Sequence, residues 1–184
     1  LRGVKIYVTV NTLIKDNEMA AAYHYAVWLY QQGVDGLIVQ DWGLLSLLRR
    51  QLPTLPLSGS TQMSLHNSVG VQGAALLWGL NRVILARETS LVDIQTICDL
   101  SPIECEIFVH GALCICYSGQ CLFSSMVGGR SGNRGRCAQP CRLPYTLLDS
   151  RGKEVAQGHL LSPKDLQSYP LLTELVQSGV ASWK

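Results

Sequence analysis

Apolar and polar positions along this chain follow two rhythms, and the switches between them mark out its elements. Val4 to Val10 (VKIYVTV) is β-branched and aromatic, the composition of a buried strand. Behind it Met19, Tyr23, Ala26, Val27 and Tyr30 recur at helical spacing, with Asp16 as a cap and Gly33 as a stop. Gly36 to Val39 (GLIV) reads as a second strand and Leu44 to Leu52 as a second helix. Leu55 to Ser58 and Ser64 to Leu80 give a third pair, and Arg82 to Ala86 (RVILA) a fourth strand. Thr89 or Ser90 opens a helix that runs to about Cys98, and Cys105 to Val109 (CEIFV) is a fifth strand. Strand and helix alternating at short spacing predict parallel strands joined by helical crossovers.

After His110 the rhythm is lost. Residues 111–145 are rich in Gly, Cys, Ser and Arg and read as an insertion that carries function. Further on, Ser162 with Pro163 and Asp165 has the form of a helix start. A short helix from about Leu171 to Gln177 follows, then Gly179 as a stop and Val180 to Lys184 as the start of a strand. A (β/α)8 barrel has eight parallel strands and about 250 residues. The expected fold class is therefore α/β, an incomplete TIM-type barrel with a Cys/Gly/Arg-rich insertion near its C-terminus. Residues 1–184 are expected to be a fragment of one barrel domain, with two strands missing from its front. With exposed sheet edges, such a piece would fold poorly alone.

Composition changes this picture little. Hydrophobic residues make up 47% and charged residues 15%, enough apolar surface for a core. The net charge of +2 excludes a strongly basic nucleic-acid binder on bulk charge, but Arg130, Arg134, Arg136 and Arg142 fall in one acid-free stretch. No apolar run is long enough to span a bilayer, so no membrane partner is expected.

Candidate chemistry lies in two places. In barrels the site gathers at the C-terminal ends of the strands. The residues expected there are polar: Asn11, Gln40 and Asp41, Ser60 to Gln62, Arg87 and Glu88, and His110. Gln62, Glu88 and His110 are the candidate catalytic groups, His110 as acid or base. Asn11 and Arg87 are candidates for binding substrate. The second place is the cysteines. There are seven, and five lie between Cys114 and Cys141. Clustered thiols in an α/β chain point to a reducing, cytoplasmic setting and to metal or chemistry rather than disulfides. Cys114, Cys121, Cys137 and Cys141 share a glycine-rich polar loop and suit zinc or an iron–sulfur cluster. Their spacing does not choose between the two, nor does it match the C-x-x-C pairs of common zinc modules. Cys98, Cys105 and Cys116 are read as structural.

The segment Glu106 to Ser125 (EIFVHGALCICYSGQCLFSS) resembles the signature of the collagenase-like peptidase family U32, with Phe123 where an aliphatic residue is usual. Gly128 to Tyr145 (GGRSGNRGRCAQPCRLPY), with VNTL, STQMSLHN, ILARE and GVASWK, resembles the subgroup that hydroxylates ribosomal RNA cytidine. The family contains proteins named as peptidases, and others that hydroxylate RNA or a quinone precursor. The resemblance implies a four-iron four-sulfur cluster held by Cys114, Cys121, Cys137 and Cys141, and prephenate as a small anionic co-substrate. Some relatives take a ligand from a cysteine after Lys-Asp-Leu; here Lys164, Asp165 and Leu166 are followed by Gln167, which favours Cys141.

The expected function is thus an iron–sulfur-dependent hydroxylase of a 23S ribosomal RNA cytidine. Arg130, Arg134, Arg136 and Arg142 would pair with RNA phosphates or with the anionic co-substrate. The alternatives are a U32-type peptidase and a zinc-stapled RNA-binding domain. For the first, no G-x-S-x-G or H-E-x-x-H occurs, though Cys114 with His110 would make a thiol pair. The second accounts for the cysteines but not for the polar strand ends.

Overall fold

A computed structural model describes residues 3–184. Its centre is a parallel sheet of six strands: β1 (Tyr7–Val10), β2 (Gly36–Val39), β3 (Leu57–Gly59), β4 (Arg82–Ile84), β5 (Glu104–Ile107) and a last strand, Ser182–Trp183, beside β5. Neighbours in the sheet are neighbours in sequence. Each crossover of the first five strands is a helix: α1 (Asp16–Gln31), α2 (Trp42–Gln51), α3 (Ser68–Trp78) and α4 (Leu91–Leu100). Crossovers of one hand moving in one direction put every helix on the same face, and α1, α2, α3 and α4 pack in that order. β2 is buried on both faces, and its apolar run GLIV is what such a strand requires.

The two faces of the sheet differ. Leu37, Val39, Leu57, Val83, Cys105 and Ile107 point to the helices and meet Leu44, Leu48, Val71, Ile94 and Ile97 in one core. The alternate positions Thr9, Ile38, Ser58, Arg82 and Glu106 line a space on the other face together with Ser182 and Lys184. One space lined from all six strands means that the sheet curls around this face. The structure is an α/β half-barrel, and among the described residues its first and last strands do not pair. The concave face carries an ion network. Arg82 reaches Glu104 at 2.5 Å and Glu106 at 3.3 Å, Lys184 reaches Glu106 at 3.6 Å, and Ser182 donates to Glu106. The Arg82 guanidinium also lies 4.9 Å from the Tyr7 ring.

Elsewhere the local chemistry moves several expected boundaries. Asp16 lies in the first turn of α1, and the Glu18 carboxylate accepts the Lys15 N–H at 3.0 Å. Helix α3 begins at Ser68, capped by Asn67, and not at Ser64. Ser60 caps a separate 3-10 turn, Thr61–Met63, and Ser64 ends it in the left-handed conformation, which no helix runs through. Within the insertion lie a short strand β6 (His110–Gly111) and a one-turn helix α5 (Phe123–Gly128). The exposed hairpin β7 (Tyr145–Leu148) and β8 (Glu154–Gly158) follows, an element the sequence rhythm does not reveal.

The expected helix at Ser162 is absent. In its place β9 (Leu166–Gln167) pairs antiparallel with β6, ahead of α6 (Leu172–Gln177) and the last strand, β10. The groups that looked like a cap are taken by Arg142, which donates to Ser162 Oγ, Pro163 O and the Asp165 carboxylate at 2.8–3.0 Å.

Glu106 is buried and is met by Arg82, Lys184 and Ser182, so removing its carboxylate takes the ion-pair partner from Lys184 and one of two from Arg82, which keeps Glu104. Glu106→Ala is expected to lower stability by about 2 kcal/mol or more. Chemical denaturation checks this; an unchanged midpoint would show the network to be solvated.

Candidate active site

The strand ends and the insertion enclose a cavity of about 420 Å³. The rim supplies Asn11, Gln62, Arg87 and Phe108, and the insertion supplies Cys114, Cys121, Cys137 and Cys141. Four thiols drawn from 28 residues of loop thus line the same cavity as the strand-end amides. Two sulfurs have donors: Arg87 Nη1 lies 3.6 Å from Cys114 Sγ, and the Gln139 N–H lies 3.3 Å from Cys137 Sγ. Burial pushes the Cys141 thiol up; the neighbouring Arg142 charge opposes this, and the nearness of Cys137, Cys114 and Cys121 adds to it. Among the described residues no three Cys, His, Asp or Glu side chains converge closely enough to hold a single metal ion.

What fixes the loop over the rim is one residue. Ser118 donates its N–H and its hydroxyl to the Glu88 carboxylate at 3.0 and 2.9 Å. Its hydroxyl oxygen accepts the Arg87 N–H at 3.1 Å, and its carbonyl accepts the Ser64 hydroxyl at 2.6 Å. The neighbouring Gly119 has φ +79° and lies so close to Gln62 that a Cβ would stand 2.0 Å from the Gln62 carbonyl oxygen. Ser-Gly in a polar loop signals a turn, but the partners that hold it are not visible in the sequence.

The candidate residues sort as follows. Gln62 lines the cavity and donates to the Asn11 carbonyl at 3.3 Å. Arg87 lies over the Phe108 ring, 4.2 Å from its centroid, and Lys184 lies 5.8 Å from the same ring. Glu88 points the other way, to Ser118, and lines an outer depression rather than the cavity. His110 is exposed on β6 and does not line the cavity; it lines a neighbouring depression with Cys114, Cys137 and Cys141. Asp41 caps α2 through the Leu44 N–H and accepts the Ile14 N–H. Cys98 and Cys105 lie against the core, and the nearby Cys105, then burial, push the Cys98 thiol up. Cys116 departs from expectation: it is exposed.

Two of the four arginines are engaged within the chain. Arg134 forms a two-pronged pair with Glu18, both distances 2.6 Å, and donates to the Leu13 carbonyl. Arg142 donates to the Leu113 carbonyl as well as to the Asp165 group described above. Both were expected to meet an external anion; in the structure these bonds within the chain occupy most of their N–H groups. Arg130 and Arg136 are exposed, and only Nε of Arg130 is used, on the Arg136 carbonyl.

The motifs around this site extend to a match over the whole chain, residues 1–184, with the family described as peptidase family U32. The chain belongs to family U32. It is 45% identical over 99% of its length to the 23S rRNA 5-hydroxycytidine C2501 synthase of Escherichia coli, covering 27% of that protein. It is 37% identical over 99% of its length to tRNA hydroxylation protein P1 of Bacillus subtilis, covering 44% of it. A U32 relative named collagenase, from Porphyromonas gingivalis, is 28% identical over all of the chain and 47% of its own length. The chain thus spans less than half of each of these U32 proteins.

Two outcomes follow for this U32 chain. Gly119→Ala is expected to cost at least about 1–2 kcal/mol from its left-handed backbone alone, and to displace the loop from Gln62. Increased alkylation of Cys114 and Cys121 would read this out; unchanged reactivity would refute the pinning. The second concerns Glu18, whose hydrogen bonds from Arg134 and then Lys15 hold its carboxyl at about 2, below 4.5. A depressed carboxyl contributes above its unfolded value, so this tie is complete above about pH 4.5 and is lost as pH falls toward 2. Arg134→Ala should move the Glu18 titration toward 4.5 and speed proteolysis after Arg130 and Arg136. A carboxyl titration followed by NMR measures the first effect, and limited digestion with trypsin the second.

Proposed function

We propose that this chain forms the cluster-bearing part of an RNA hydroxylase, one that places a hydroxyl on a cytidine of 23S ribosomal RNA. The observation that carries the reading is the grouping of Cys114, Cys121, Cys137 and Cys141 around a cavity rimmed by hydrogen-bonding strand ends. The names of the similar U32 proteins support RNA as the substrate class. The finer fold reading is a (β/α) barrel with the cavity at its C-terminal mouth, supported by the chain-order parallel strands.

The four thiols are the residues that would hold a four-iron four-sulfur cluster. Such a cluster takes one thiolate per iron, so its ligands surround a volume, whereas a zinc ion needs four sulfurs at about 2.3 Å from one point. The spread of the thiols around a cavity fits the first arrangement. When bound, the cluster would supply one-electron chemistry to the reacting oxygen donor. The chain's own residues do the rest. A base inside a stacked RNA cannot be reached, so the target must be turned out into the cavity. Gln62 and Asn11 offer amide groups to a base edge, and the Phe108 face with Arg87 and Lys184 makes a cationic wall for a small anionic co-substrate such as prephenate. Arg130 and Arg136 remain to meet phosphate. A thiol peptidase is less well supported: among the described residues the hydrogen-bonding partner of Cys114 is Arg87, and His110 makes no bond to it.

Anaerobically prepared full-length protein is expected to be brown, with about four irons per chain. Replacing Cys114, Cys121, Cys137 or Cys141 by Ser should remove the iron, and replacing Cys98 or Cys105 should not. Deleting the gene should remove 5-hydroxycytidine from nuclease digests of ribosomal RNA. Stoichiometric zinc without iron, or an unchanged nucleoside profile, would sink the proposal.

A further inference from the structure

Tyr117 is an aromatic side chain that the fold leaves bare beside the site. It is 71% exposed, and among the described residues its hydroxyl makes no hydrogen bond. Its backbone is nonetheless tied down. The Tyr117 carbonyl accepts the Gln120 N–H at 3.0 Å. The next residue, Ser118, is buried and bonded to Glu88 through its N–H and its hydroxyl, and Gly119 packs on Gln62. A ring carried on a fixed backbone gives up little freedom when something stacks on it. Its position matters as much. Outside the cavity of about 420 Å³ lies the outer depression, of about 660 Å³, and both are large enough for a small organic group. Tyr117 lines both spaces, as do Arg87, Cys114, Ile115 and Ser118, so this segment is the wall they share. Arg87 is the one cationic side chain lining the outer depression, and its Nε is buried without an acceptor. Glu88, the one acid there, is committed to Ser118. Gln120 donates Nε2 to the Ser64 hydroxyl at 2.9 Å and keeps Oε1 open to a ligand.

We propose that the outer depression is a second nucleotide subsite, which takes the residue of the RNA next to the target base and stacks that residue's base on Tyr117. The subsite rests on the RNA-hydroxylase reading above. Turning one base out of a stacked strand costs its neighbour a stacking partner. A strand whose target base enters the inner cavity brings the adjoining nucleotide to the other side of the shared wall. An aromatic ring there restores the lost stacking, and does so for any base, because every base has a π-face. Arg87 borders both spaces and offers a cation to the phosphate that joins the two nucleotides. An unpaired cation beside an exposed ring suits a nucleotide better than an acidic or wholly apolar group. Tyr117 thus binds substrate and takes no part in the chemistry.

The test uses full-length protein prepared without oxygen and a single-stranded oligonucleotide of 23S ribosomal RNA centred on the modified cytidine. The oligonucleotide is used intact, or with the base on one side of that cytidine removed. Fluorescence anisotropy measures binding. Tyr117→Ala is expected to bind the intact RNA about 5- to 150-fold more weakly, the factor a stacked base contributes, with its metal content unchanged. Tyr117→Trp should keep the affinity. The unaltered protein should lose the same factor when the base on one side is removed, and Tyr117→Ala should then lose nothing further. Equal binding of the intact RNA and both abasic RNAs by the unaltered protein overturns the subsite. So does a Tyr117→Ala loss as large on both abasic RNAs as on the intact one, because the ring would then not be meeting a base. A loss confined to prephenate binding would give the depression to the small anion and overturn the subsite as well. If Tyr117→Ala sheds its metal, the abasic comparison on the unaltered protein decides alone. Cytidine hydroxylation with no dependence on a flanking base overturns the subsite and leaves the hydroxylase reading standing. Failure to bind RNA, with 5-hydroxycytidine still present after gene deletion, overturns both.

Discussion

A loop with almost no core of its own must be held by something other than burial, and here the holding is done by a carboxylate. Glu88 accepts two hydrogen bonds from Ser118, and charge-assisted bonds of this kind are about twice as strong as neutral ones. Ser118 is buried, so the bonds are shielded from water. Because Cys114, Cys116 and Cys121 lie within four residues of Ser118, their placement over the cavity depends on this contact. Arg134 with Glu18 and Arg142 with Asp165 pin the far side of the same insertion, at α1 and at the β9 approach. The insertion is thus anchored at three separated points by ionic groups, and the span between them is free to be shaped by its glycines.

The parallel sheet is legible in the sequence because its strands are buried on both faces or alternate strictly. GLIV at β2 admits no other reading in that context, and RVI at β4 places Arg82 and Ile84 on one side with Val83 on the other. The gathering of the four cysteines is legible from their density. The rest fails for physical reasons. A Ser-Pro-x-Asp helix signal at Ser162 is local, and Arg142, 20 residues earlier, outcompetes the backbone for the same oxygens. The hairpin at β7 and β8 is exposed on both faces, so it has no hydrophobic period to read. Cys116 looks structural beside Ile115, and only the turn at Ser118 and Gly119 shows that it is turned outward.

The arginines show how charge density in a sequence overstates charge available to a partner. Four in one stretch suggest a phosphate-binding strip. In the fold Arg134 and Arg142 are bonded to carbonyls and carboxylates of the chain, which ties the loop down and leaves fewer donors for a ligand. Had Glu18 and Asp165 been neutral, the same sequence would have presented a basic surface. Their presence ties the insertion to the sheet layer instead, so the electrostatics of this region serve position before they serve recognition.

The same accounting singles out Arg87. Its sequence neighbour Glu88 is committed to Ser118, and among the described residues Arg87 has no carboxylate partner. Its Nε is buried without an acceptor, its plane lies on Phe108, and Nη1 is directed at the Cys114 sulfur. On the concave face below, Arg82 and Lys184 are balanced by Glu104 and Glu106. The positive charge left over at the mouth of the half-barrel is therefore concentrated at Arg87, beside a thiol. It stands ready to meet an anion entering the cavity. The pinning of Ser118 by Glu88 thus has an electrostatic consequence: the carboxylate next to Arg87 in sequence is committed to the loop and does not pair with the Arg87 guanidinium.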